Sequence, residues 1–183
     1  MTKVEIKPLN HPALIQLLNQ RKIPIELARQ YCKEVHYSLN GKSYFAVAFP
    51  NNKGGFETLN PYFKGYFPHK EISIFDRQTQ AVHLFEGFMD YLSLLTMQAK
   101  QAEVSAIVLN STTNLEKAVP FLSKHKKINA FLGNDDAGKL ALGKLQKLNL
   151  PMMDISKRNA EYKDVNDYLC GNKLPQFQKK ETN

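Results

Sequence analysis

The sequence predicts an α/β protein, a parallel sheet with flanking helices, preceded by a small α+β segment. Three observations carry that expectation. From Ile72 onward short apolar runs alternate with stretches of helical periodicity, the trace that a parallel sheet with right-handed crossovers leaves in a sequence. Two of those runs, VHLF at 82–85 and INAFL at 128–132, stop abruptly before acidic residues and glycine, as buried strands do where they turn into a helix. Ahead of residue 70 the alternation is missing, and helical spacing gives way to an aromatic, turn-rich stretch.

In the first part, Leu14, Leu17, Leu18, Ile23, Leu27 and Tyr31 keep helical spacing with a break near Ile23-Pro24. Two short helices are expected, 12–20 and 24–32, each with a proline in its first turn, where its missing N–H costs nothing. Residues 44–49 read as extended, PNNKGG at 50–55 as a turn and 56–59 as the returning strand, which makes a hairpin; 60–68 reads as an aromatic loop. Beyond residue 72 the expected order is strand 82–85, helix 87–101, strand 104–109, helix 114–124, strand 128–132, helix 136–148, a short strand 152–155 and a last helix from Val165. That succession is a Rossmann-like parallel sheet. The expected division is a small helical and β-hairpin segment over 1–70, the α/β domain over 71–171 and a tail over 172–183, disordered from Gln176.

Composition narrows the class. With 183 residues and 43% hydrophobic content there is enough apolar surface for a real core, so the chain is not disordered as a whole. Lys and Arg number 25 against 17 Asp and Glu, a net +8 that favours a polyanionic partner through counterion release. Residues 1–80 hold eleven of the basic residues and six of the acidic ones, so the excess is denser at the front. Cys32 and Cys170 are far apart, with no CxxC pair and no histidine at ligand spacing; two free thiols are expected, and no zinc. No apolar run approaches the ~18 residues of a membrane span, and MTKVEIKPLN is too polar for a signal peptide. A cytoplasmic protein without a membrane partner follows. The sequon Asn110-Ser111-Thr112 is then a chance match, and none of the five histidines has a partner at catalytic or ligand spacing.

The chemistry is concentrated at the strand ends. In an open parallel sheet ligands bind beyond the carboxyl edge, where strand-to-helix turns form a crevice and helix N-termini point into it. Glu86, Asp90, Asp135 and Asp136 come from two such turns and would repel one another on converging; a hard divalent ion such as magnesium resolves that repulsion. Asp90 follows Glu86 by four residues and so shares its side of the opening helical turn. Singly, each acid is better explained by the helix dipole or by capping. Their recurrence in successive turns points to a site.

EGFMD at 86–90, NDDAG at 134–138 and KDVND at 163–167 resemble, in order and spacing, the three signatures of the Toprim domain of DnaG-type primases, topoisomerases and related nucleases. GGFETLNPYFKG at 54–65 is similar to the segment that precedes this domain in primase-like proteins of phages, plasmids and mobile elements. The resemblance implies a Toprim fold and a nucleotidyl transfer, dependent on Mg2+ or Mn2+, that joins ribonucleotides into an RNA primer on single-stranded DNA. It implies Glu86 as the proton-transfer residue and metal neighbour, Asp135 and Asp164 as metal holders, and Asp90 and Asp167 as supporting carboxylates; Asp136 is placed to substitute in part for a ligand missing from the second signature. The implied partners are the template, nucleotides and a helicase or relaxase. One position departs from the pattern: the second signature reads DNDxAG in the family, and here Gly133 stands where its first aspartate belongs. Loss of a metal ligand keeps two alternatives open, a catalytically impaired nucleic-acid-binding accessory protein of mobile-element replication and a Toprim nuclease.

The same glycine creates a decoy, since GNDDAGK at 133–139 satisfies the phosphate-binding pattern GxxxxGK between a strand and a helix. Leu140 follows where a Ser or Thr should meet magnesium, and two aspartates inside the loop would repel a phosphate. Lys53, Lys64, Lys70 and Lys139 are the candidate nucleic-acid contacts. Tyr44, Phe45, Phe49, Phe56, Tyr62, Phe63, Tyr66 and Phe67 form either a stacking platform for single-stranded template or the core of the hairpin. Ser111, Thr112 and Thr113 either bind phosphate or cap the next helix.

Overall fold

The structure is a computed structural model that describes residues 2–178. It divides into two compact units, Met1–Ser73 and Ile74–Asn183.

The first unit runs β1 (Thr2–Lys7), α1 (Pro12–Gln20), α2 (Ile25–Tyr31), β2 (Lys33–Leu39), β3 (Lys42–Pro50), β4 (Phe56–Leu59) and β5 (Lys64–Phe67). The strands pair antiparallel in chain order, β1-β2-β3-β4-β5. Helix α1 starts at Pro12, α2 follows Pro24 as its N-cap, and α1 turns Leu14, Leu17 and Leu18 inward. The β3–β4 turn is closed by Asn51, whose side-chain oxygen accepts from the amides of Lys53 at 3.1 Å and Gly55 at 3.0 Å. One sheet face packs Val35, Tyr37, Ala46 and Ala48 with Val4, Tyr44 and Phe56.

Three strands of this sheet exceed the expected hairpin. β1 and β2 alternate apolar with charged residues inside short stretches, and β5 lies where the sequence reads as loop. The aromatic stretch is divided between core and surface: Phe49 is fully buried, whereas Tyr62 is 92% exposed and Tyr66 48%. Pairing of Leu59 with Lys64 and Glu57 with Tyr66 puts Lys64 and Tyr66 on one face of the edge strand β5.

The second unit runs β6 (Ser73–Phe75, starting at the unit border), β7 (Ala81–Phe85), α3 (Phe88–Met97), β8 (Ser105–Val108), α4 (Leu115–Leu122), β9 (Lys127–Phe131), α5 (Asp136–Gln146), β10 (Met152–Asp154) and α6 (Val165–Cys170). The sheet order is β10-β9-β7-β8-β6, with β10, β9, β7 and β8 mutually parallel. This is the α/β sheet that the alternation predicts. Burial explains its legibility, as all four residues of β8 and the last four of β7 are buried. The core stacks Phe85 on Phe131 at 5.0 Å and sets Tyr91 against Phe85 at 5.5 Å.

The order also locates a crevice. From β7 the chain crosses to β8 on one side, and from β9 it crosses to β10 on the other, so the crossovers diverge between β7 and β9. In an open α/β sheet that divergence opens the ligand-binding crevice at the carboxyl ends of the two strands.

Smaller features complete the unit. Helix α3 stops at Met97 and is continued by a 3-10 turn, Ala99–Glu103. His83 bridges the Gln101 and Asn129 side chains, and burial lowers its pKa. Cys32 and Cys170 form no disulfide, and burial pushes the Cys32 thiol up. Of the stretch expected to be disordered, Gln176 and Phe177 belong to a 3-10 turn, Pro175–Phe177, and residues 179–183 lie outside the described residues.

Candidate active site

Glu86 leaves the carboxyl end of β7, and Gly133 to Asp135 follow the adjacent end of β9, with Phe85 and Phe131 in register between them. The second turn is tightly built. Asp135 is the N-cap of α5, its Oδ1 accepting from the Gly138 amide at 3.0 Å. A Cβ on Gly138 would lie 2.7 Å from the Gly133 nitrogen and closer still to its carbonyl group, so only glycine lets α5 start against this loop.

Gly133 sits where the carboxylates meet. A Cβ added there would lie 3.3 Å from Glu86 Oε2, 3.5 Å from Asp135 Oδ1 and 3.5 Å from the Lys163 carbonyl oxygen. Three oxygens from three segments thus surround one point. Glu86 and Asp135 converge, and the residue that departs from the family pattern lies between them.

The third segment is attached through Asn134. Its amide donates to the Lys163 carbonyl at 2.7 Å, and its Nδ2 donates to the carbonyls of Tyr162 at 2.8 Å and of Ser156 and Asn159 at 3.3 Å each. Asp164 then caps α6, accepting from the Asp167 amide at 2.7 Å. Lys163 Nζ stands 3.4 Å from Asp135 Oδ2. The Gly138 amide, with help from Lys163, holds the Asp135 carboxyl below the usual carboxylate value. Burial pulls Lys163 down, but its hydrogen bond to Asp135 and the charges of Asp135, Asp164 and Glu86 outweigh burial and raise its pKa.

The remaining candidates lie apart from that point or are engaged with protein groups. Asp90 is buried, and its Oδ1 accepts from the Asn166 amide at 3.2 Å; Asn166 Nδ2 donates to Ser93 Oγ at 2.8 Å, which ties α3 to the start of α6. Asp136 and Lys139 are exposed on the first turns of α5. In the first unit Lys53 pairs with the buried carboxylate of Glu71 at 3.2 Å, Lys64 is exposed on β5 and Lys70 is half-buried. A phosphate loop at 133–139 would need the Gly138 amide that Asp135 already engages. Ser111 accepts from the Thr113 amide at 3.4 Å, a capping arrangement. Asn134, Lys163 and Asn166 are the residues the sequence did not single out; the first two flank acids of the signatures, and only the fold reveals their partners.

Among the described residues no group of three or more His, Cys, Asp or Glu side chains stands at metal-holding spacing. Magnesium asks for less, because it keeps several waters and is commonly held by one or two carboxylates together with substrate phosphates. Glu86 and Asp135, hard oxygen donors around one point, fit a single such ion.

Residues 83–169 match the Toprim-like family, and residues 3–68 match a domain of unknown function, DUF8464. No curated protein matches the chain. The fold recurs in the primase fragment of the bacteriophage T7 primase-helicase protein, at 15% identity and a TM-score of 0.59 over 84% of this chain and 68% of that one. It recurs in the DnaG catalytic core, at 13% identity and a TM-score of 0.54 over 91% of this chain and 71% of that one. A third match comes from a bacteriophage T7 lagging-strand DNA polymerase assembly containing primase domains bound to an RNA/DNA hybrid and dTTP, with 13% identity and a TM-score of 0.56 over 92% and 87% of the two chains.

Proposed function

We propose, from the Toprim-like domain that residues 83–169 form, that this chain is a primase-like protein, joining ribonucleotides on single-stranded DNA by magnesium-dependent nucleotidyl transfer. The observation that carries this reading is the meeting of Glu86 and Asp135 around Gly133, at the edge where the crossovers diverge. Phosphoryl transfer requires the charge on the transferring group to be neutralised and the attacking and leaving oxygens to be held in line; bound magnesium supplies that neutralisation. Glu86, at a strand end and outside the helix cap, takes the proton from the attacking hydroxyl. Asp135 and Asp164 would hold the ion, each with its carboxylate oriented by a helix amide, while Asp136 stays exposed on the first turn of α5. Asp90 fixes the third signature relative to the first through the Asn166 amide. Lys139, Lys53, Lys64 and Lys70 contact template phosphates, and the exposed Tyr62 and Tyr66 stack on bases. A helicase or relaxase would deliver the strand, in the cytoplasm; no helix among the described residues is long and apolar enough to cross a membrane.

Ribonucleotide incorporation on circular single-stranded DNA in magnesium buffer tests the reading. Short RNA products from the parent chain, absent from Glu86→Gln, are expected. Retained single-stranded DNA binding without any product would instead establish the accessory protein, the reading that the missing carboxylate at Gly133 favours. Cleavage of duplex DNA in the same buffer would establish a nuclease.

A further inference from the structure

We propose that Lys163 is the second cation of this site: its ammonium takes the place of one member of a pair of divalent ions, and the carboxylates around Gly133 hold a single ion beside it. The inference rests on the reading above and specifies its metal stoichiometry.

Placement comes first. The Lys163 backbone is held at the site by the Asn134 amide at 2.7 Å, and the loop leading to it is fixed by the three carbonyls that share Asn134 Nδ2. Its carbonyl oxygen borders the Gly133 space, and its Nζ reaches Asp135 Oδ2 at 3.4 Å. Asp135 therefore has a donor on each oxygen, the neutral Gly138 amide on one and the Lys163 ammonium on the other. A carboxylate so engaged is poorly placed to bridge two metal ions.

Charge makes the same point. Glu86, Asp135 and Asp164 are the acids whose fields reach Lys163. Three carboxylates are balanced by one divalent ion and one ammonium; two divalent ions beside the ammonium would leave a surplus of positive charge before any phosphate bound. Gly133 fits this arrangement, because an aspartate there would bring a fourth negative charge, and its Cβ would press on Glu86 Oε2 at 3.3 Å.

Manganese titration of the full chain, read from the paramagnetic resonance signal of the free ion, tests the proposal without reference to activity. One ion per parent chain is expected. Lys163→Ala should bind that ion about tenfold more tightly, since a positive charge a few ångströms away is removed, and Lys163→Arg should bind as the parent does. Two equivalent ions on the parent, unchanged or weaker binding by Lys163→Ala, or an arginine variant that behaves like the alanine one overturns the assignment while leaving the carboxylate site in place. Absence of binding by every variant, with thermal unfolding showing all of them folded, overturns the reading on which it rests.

Discussion

The turns that follow β7 and β9 bring carboxylates to the same edge of one sheet but fix them by different means. After β7, Glu86 precedes an N-cap glycine, Gly87, and α3 opens without a side-chain cap. After β9, Asp135 is itself the cap, Gly138 closes the helix onto the loop, and Asn134 ties the turn to the third signature. Under the proposed function the contrast would separate two duties. A carboxylate that holds an ion gains from being immobilised by helix amides, whereas one that moves a proton must change its hydrogen bonding during the reaction and is better placed outside the cap.

Variants in the two turns should therefore fail differently. Glu86→Gln should lower primer synthesis by about 10²–10⁴-fold, the usual worth of a positioned acid or base, while its thermal unfolding stays close to that of the parent. A comparable fall in melting temperature would show that Glu86 is structural and would erase the distinction. Gly138→Ala belongs to the other class. Its Cβ overlaps the Gly133 backbone, so the turn must rebuild, and denaturant unfolding should show a loss of about 3 kcal/mol, the upper range of overpacking. Asn134→Ala should cost less, about 2 kcal/mol for carbonyls left short of a donor, and should weaken manganese binding through displacement of Lys163 and Asp164. An unchanged manganese affinity would mean that the third segment holds its place without Asn134.

The same contrast explains what was legible in the sequence. Strands buried on both faces, such as SAIV in β8, declare themselves as apolar runs, and acid-plus-glycine endings mark their carboxyl edge. Half-exposed strands do not: in KGYF of β5, glycine and exposed Lys64 and Tyr66 obscure the alternation that pairing with β4 makes plain. At the site, spacing placed Glu86, Asp90, Asp135 and Asp136 in one group without distinguishing them. The Asp90 partner is a backbone amide 76 residues away, and that contact exists only once α6 has packed on α3. Asn134 is similarly silent, since its acceptors are main-chain carbonyls that carry no side-chain signature.

The smallest expected effect concerns charge at the capped turn. Asp135→Asn keeps a good N-cap side chain but removes the charge facing Lys163. The folded-state pKa of Asp135 is depressed, so its ionic contribution is fully present above the ordinary carboxylate value and is lost as pH falls through the lower folded one. The side chain is 37% exposed and its partner 51%, and solvent screening holds the contribution to no more than about 1 kcal/mol. Denaturant unfolding should thus find the parent slightly more stable than Asp135→Asn at neutral pH, with the gap closing below about pH 4. A gap that persists into strong acid would assign the difference to the cap hydrogen bond, and the Asp135 charge would then add nothing to the stability of the β9 turn.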